Sequence, residues 1–81
     1  MQIRILAFAG LRELLGASER SLDLPEGARI ADAWGAISRE HPALAQHRAA
    51  TRVARNGRLG AFDDALTDGD ELALLPPVGG G

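Results

Sequence analysis

The side chains that most often carry chemistry are scarce in this sequence. Its 81 residues include no Cys and no Lys. That removes thiol nucleophiles, cysteine metal knuckles, disulfides, Schiff bases and side-chain isopeptide acceptors. The two imidazoles, His41 and His47, have no Cys or carboxylate at a metal-ligand spacing. They read as surface residues, and no metal site is expected. What remains is the chain end, Pro76-Pro77-Val78-Gly79-Gly80-Gly81. Two prolines cannot both sit in a sheet ladder, so they turn the chain out of the domain in an extended form. On these residues alone the end is either a frayed terminus or a working arm. A glycine strand without Cβ atoms threads a narrow tunnel and brings the Gly81 carboxyl to a buried site on another protein. A carboxylate is unreactive until activated. In the second case, then, the arm is a substrate for acyl activation and the chain supplies no catalytic side chain.

An arm needs a domain to carry it. The length and the 46% hydrophobic content fit one small globular domain. Without staples it needs a well-formed core or a partner. The net charge of −2 argues against a free-standing nucleic-acid binder. No apolar run approaches the roughly 20 residues that span a bilayer. The start, Met1-Gln2-Ile3-Arg4-Ile5, reads as a strand and not as a leader peptide, so a cytoplasmic protein without membrane contact is expected. After Arg58 there is no further cation but there are Asp63, Asp64, Asp68, Asp70 and Glu71. These form either an acidic patch or a solvated surface.

The hydrophobic pattern orders the elements. Residues 2–9 read as a strand that alternates first and then turns apolar, so that its second half is expected to be buried on both faces in an interior position. Leu11-Arg12-Glu13-Leu14-Leu15 gives one helical turn that Gly16 stops. Residues 18–24 alternate again and form a strand antiparallel to the first. From Arg29 to Arg39 the stripe Ile30, Ala33, Trp34 and Ile37 predicts the main helix, with Trp34 as a core anchor. His41-Pro42 ends it. Residues 42–50 are either a short helix or an irregular crossover. Residues 51–54 and 58–60 are strands around an Asn56-Gly57 turn. Phe62 to Leu66 reads as a turn of helix with Leu66 plugging the core, and Glu71 to Leu75 as a final interior strand. This order fits an α+β, ubiquitin-like β-grasp: a mixed sheet packed on one main helix, with the last strand beside the first in the middle. The expected domain covers residues 1–78, with a flexible glycine tail over 79–81.

Several segments together resemble the ubiquitin-like sulfur carriers that form the small subunits of molybdopterin synthase. They are the start I-R-I-L-A-F-A, then Leu11-Arg12-Glu13-Leu14, Ala54-Arg55-Asn56, Leu66-Thr67-Asp68-Gly69-Asp70-Glu71-Leu72-Ala73, and the ending Pro76-Pro77-Val78-Gly79-Gly80-Gly81. The likeness covers essentially the whole chain, although residues 38–48 match nothing specific. It implies that an E1-like adenylyltransferase activates Gly81 with ATP as a glycyl adenylate. A persulfide donor then converts the adenylate to a thiocarboxylate. The arm, with Gly79 and Gly80, threads the large synthase subunit, and sulfur passes to a pterin precursor in molybdenum cofactor biosynthesis. The expected synthase is a heterotetramer of two small and two large subunits. A thiocarboxylate also supplies the sulfur nucleophile that a chain without Cys lacks. No cofactor is expected to bind, and the catalytic groups belong to the partner. Phe8 and Leu75 are expected to form an apolar docking patch continued by Pro76, Pro77 and Val78. Asp68, Asp70 and Glu71 are expected to meet arginines on a partner. Two neighbouring functions share the same arm: a sulfur carrier for another pathway (thiamine or amino-acid), and a ubiquitin-like protein modifier.

Overall fold

A computed structural model describes residues 1–76. In chain order the elements are β1 (Gln2–Ala7), α1 (Ala9–Leu15), β2 (Glu19–Asp23), α2 (Ile30–Glu40), a run of 3-10 turns (Pro42–Ala50), β3 (Arg52–Arg55), β4 (Arg58–Gly60) and β5 (Glu71–Leu75). The strands form one mixed sheet in the order β2-β1-β5-β3-β4. β1 runs antiparallel to β2 and parallel to β5, while β3 is antiparallel to both β5 and β4. This is the expected β-grasp, with β5 in the middle beside β1. The assigned tail, 79–81, and the arm residues Pro77 and Val78 lie outside the described residues.

The core follows from the strand and helix periods. Ile3, Ile5 and Ala7 of β1, Leu72 and Leu74 of β5, and Val53 of β3 point to one face and are buried. Above them lies the α2 stripe of Ile30, Ala33, Trp34 and Ile37, as its spacing predicts. Trp34 meets Phe62 edge-on, with ring centroids 6.1 Å apart, and the Arg48 guanidinium lies over the Phe62 ring, 3.8 Å from its centroid. Leu66 closes the bottom of the core.

Three readings change. The segment after β1 forms two turns of helix, longer than the single turn expected, and Gly16 ends it at φ 81°. Residues 62–66 are not helical. Their carbonyls are spent on the start of α2, whose first N–H groups have no partner within the helix. Ile30 N–H donates to Asp64 O at 2.9 Å and Ala31 N–H to Phe62 O at 2.8 Å, while Leu66 N–H donates to Ala28 O at 2.9 Å. Within the loop a single turn closes, Asp64 N–H donating to Ala61 O at 3.0 Å, and no helix continues from it. Lastly, β1 is interior but not buried on both faces. Leu6 is half-buried and Phe8 is 46% exposed, because among the described residues nothing covers the sheet face opposite α2.

Candidate functional site

The middle strand delivers the chain to the arm. β5 is hydrogen-bonded on both sides, so its end is held by β1 and β3 together. Leu74 pairs with Ala7 on one side and Val53 on the other, and Leu75 pairs with Arg52. Pro76 follows, half-buried. Pro76 therefore stands at the end of a strand held on both sides.

The open face of the sheet surrounds that exit. Directly opposed residues share a face, and one row runs Leu6, Ala73, Ala54, Leu59 across four strands. Phe8, extended at φ −127° and ψ 151°, carries the alternation of β1 one residue further. It therefore points to the open face instead of packing beneath α1. With Leu75 it borders the arm's root, and Arg52 stands on the other side of Leu75. Arg52 is exposed and makes no ion pair among the described residues. Leu59 is 66% exposed, and the sequence reading missed it. The signal was present in the three-residue strand Arg58–Gly60, but its face depends on the Leu59–Ala54 register.

The acidic residues divide differently from expectation. Asp70 is only 5% exposed and serves its own domain. Its Oδ2 accepts from Arg55 Nε at 2.6 Å and from Thr67 N–H at 2.8 Å; its Oδ1 accepts from Asn56 Nδ2 at 2.9 Å and from the Thr67 hydroxyl at 3.1 Å. Burial pushes this carboxyl up, and the donors from Thr67, Arg55 and Asn56 overcome it, holding the group well below the usual carboxylate range. Both oxygens are committed, so Asp70 leaves the set of docking candidates. Asp68 Oδ1 accepts from Gln2 N–H at 2.7 Å and fixes the turn before β5 to the start of β1. Glu71 is half-buried. Asp68 and Glu71 sit at the opposite end of β5 from the arm; from Glu71 to Leu75 is about 13 Å along a strand. His47 is exposed and His41 half-buried. Among the described residues no three His, Cys, Asp or Glu side chains come together as a metal site, and no helix is long and apolar enough to cross a membrane.

A β-grasp whose middle strand ends at a Pro-Pro-Val-Gly-Gly-Gly sequence can be compared directly with known proteins. The ThiS family model matches residues 5–81, nearly the whole chain. The chain belongs to the ThiS family of ubiquitin-like sulfur carriers. It is 42% identical over 81 residues to the molybdopterin synthase sulfur carrier subunit of Escherichia coli, covering 98% of this chain and 99% of that one. The same-named subunit of Chlamydomonas reinhardtii is 40% identical over 83 residues, with both chains fully covered. Among solved structures, small archaeal modifier protein 1 (SAMP1) of Haloferax volcanii superposes with a TM-score of 0.89 at 35% identity over the full length of both chains. For this member of the family the arm's root and the open face are the surfaces to explain.

Proposed function

We propose that this chain is the sulfur-donating subunit of molybdopterin synthase, carrying sulfur as a thiocarboxylate on Gly81. The observation that carries the reading is the position of the last strand. The middle strand, fixed on both sides, leads through Pro76 into a glycine-ended sequence, beside an uncovered apolar face. Full-length similarity to two molybdopterin synthase sulfur carrier subunits supports the choice of pathway.

In this reading an E1-like enzyme joins the Gly81 carboxylate to AMP from ATP and releases pyrophosphate. The outer sulfur of a persulfide donor displaces AMP to give an acyl disulfide, and a second thiol cleaves its S–S bond, leaving the thiocarboxylate on Gly81 and a disulfide between the two thiol sulfurs. The charged arm, with Gly79 and Gly80 as its narrow portion, enters the large subunit. There the thiocarboxylate sulfur displaces an oxygen substituent of the pterin precursor, water hydrolyses the thioester so formed, and the carrier leaves as the carboxylate. Phe8, Leu59 and Leu75 dock on the large subunit, continued by Pro76, Pro77 and Val78. Asp68 and Glu71 tune association from the far end of the sheet. The domain's part is to present and to dock; acid–base groups come from the partner.

The test is the intact mass of the protein recovered under mild, non-reducing conditions from cells that hold its sulfur-transfer enzymes. A species heavier by the exchange of one oxygen for sulfur, mapped to the peptide ending at Gly81, supports the carrier. Only unmodified mass, even after incubation with the E1-like enzyme, ATP and a persulfide donor, refutes it. The likeness to a small archaeal modifier protein favours a second use of the same activated end, conjugation to amines of other proteins. Conjugates joined through Gly81 to lysines of other proteins in a lysate would establish that use.

A further inference from the structure

All nine Lys or Arg positions of this sequence hold arginine. Five of these side chains bond within the domain. Arg4 pairs with Glu19, Arg20 with Glu40 and Arg55 with Asp70; Arg29 donates to Asp63 O at 2.7 Å, and Arg48 lies over the Phe62 ring. Arg12, Arg39, Arg52 and Arg58 are exposed, and among the described residues their side chains make no ion pair or hydrogen bond. At these four sites lysine would serve the fold as well, so folding does not explain why amines are missing. The amino group of Met1 is tied into the sheet. It donates to Leu24 O at 2.8 Å, Leu24 N–H donates back to Met1 O at 2.9 Å, and Glu26 Oε1 lies 3.9 Å away. Met1 stands about 20 Å along β1 from Ala7, the residue that pairs with Leu74 where β5 runs out toward the arm.

Lysine and arginine differ in what they do to an activated acyl group. A lysine amine exists in part as the neutral nucleophile, whereas a guanidinium stays protonated and does not attack. An amine nitrogen that attacks a glycyl adenylate forms a C–N bond as the C–O bond to AMP breaks; AMP leaves, and the nitrogen gives its proton to water. The amide so formed consumes the Gly81 carboxyl and ends the carrier's cycle. We propose that this chain is a one-way acyl donor: with arginine at every cationic side chain and the Met1 amino group held in the sheet, no copy accepts the activated Gly81 of another. The activated end passes to sulfur, or to an amine of a different protein. In the second use it is attached as a single unit that cannot be extended into a chain of copies. This rests on the carrier reading above and deepens it by fixing the class of acceptor.

The experiment puts amines back. Concentrated carrier is incubated with the E1-like enzyme and ATP, without a sulfur donor, and covalent products are read by intact mass. The parent is compared with Arg12→Lys and Arg39→Lys, both at exposed helix positions. Pyrophosphate release is followed in parallel, and dimer is counted per pyrophosphate released, so that a variant activated more slowly is still scored. The parent is expected to give no dimer. Each variant is expected to give at least ten times the parent's background of a species weighing two chains less one water, with Gly81 mapped to the substituted position. A parental dimer, joined through the Met1 nitrogen or elsewhere, overturns the proposal. So does pyrophosphate release without dimer in both variants, which would give the protection to the enclosing enzyme and not to this chain's own surface. Failure of the carrier reading looks different: the parent itself would then release no pyrophosphate, and the proposal would fall with that reading.

Discussion

Replacing Asp70 with Asn removes one charge and almost no volume, at the point where the β3–β4 turn is tied to the start of β5. The carboxylate accepts from four donors, and its main-chain carbonyl accepts from Arg4 N–H at 2.9 Å. An amide has one acceptor oxygen. If that oxygen serves Arg55 and Thr67 N–H, the new NH2 group faces the Asn56 NH2. Turning Asn56 over does not help, because its Oδ1 already accepts from Glu71 N–H at 2.9 Å. One donor stays unsatisfied, which costs about 1–3 kcal/mol, and the Arg55 bond loses its charge assistance, a further kcal/mol or so. A loss of about 3 kcal/mol is a large share of the roughly 4–12 kcal/mol expected for a domain of this size. It corresponds to a fall in Tm of about 12–24 °C at pH 7. Thermal and urea unfolding followed by circular dichroism read it directly.

The same group sets a pH dependence. Because the folded carboxyl titrates below its unfolded value of about 3.9, its contribution is complete above that pH. It is lost as pH falls from there toward the folded value. The gap between parent and Asp70→Asn is therefore expected to be constant from pH 8 to pH 5 and to narrow below about pH 4. A Tm change under 4 °C at pH 7, or a gap that widens in acid, would refute the argument that the Asp70 network holds β5 in place.

Three further outcomes are expected. Phe8→Ala and Leu59→Asp should each weaken binding to the large subunit by about tenfold or more; their Tm should stay within a few degrees, since both side chains are largely exposed. Parental affinity in calorimetry would remove the open face from the interface. Ala9 holds φ 51° with a Cβ, so Ala9→Gly should raise stability by up to about 1 kcal/mol in urea unfolding, and a fall would show that the turn is not strained. Deleting Gly81 should abolish charging with ATP, the E1-like enzyme and a persulfide donor while unfolding stays near parental. A charged deletion variant would exclude Gly81 as the acceptor.

Much of this protein was legible one residue at a time. The stripe Ile30, Ala33, Trp34 and Ile37 marked α2, Asn56-Gly57 marked the hairpin turn, and the alternation of Ile3, Ile5 and Ala7 marked the core side of β1. These signals are local: helical and strand periods and left-handed turn residues act within a few positions of themselves. Residues 62–66 were misread because their carbonyls answer to α2, some thirty positions away, and no local pattern records that debt. The ending of two prolines, Val78 and three glycines is also a sequence property, and the proposed role of Gly81 starts from it.

What only the tertiary structure decided is which side chains are free to meet a partner. Asp68, Asp70 and Glu71 look alike as a run of acids, yet Arg55, Asn56 and Thr67 converge on Asp70 and take it out of solvent. Leu59 looks like any apolar residue of a short strand. The register that sets it opposite Ala54 turns it outward and adds it to the row that reaches Leu6. The physical reason is the same in each case. A residue's type fixes what it can donate, accept or bury, whereas whether that capacity is spent inside the domain or left for a partner depends on neighbours that the sheet brings from far along the chain.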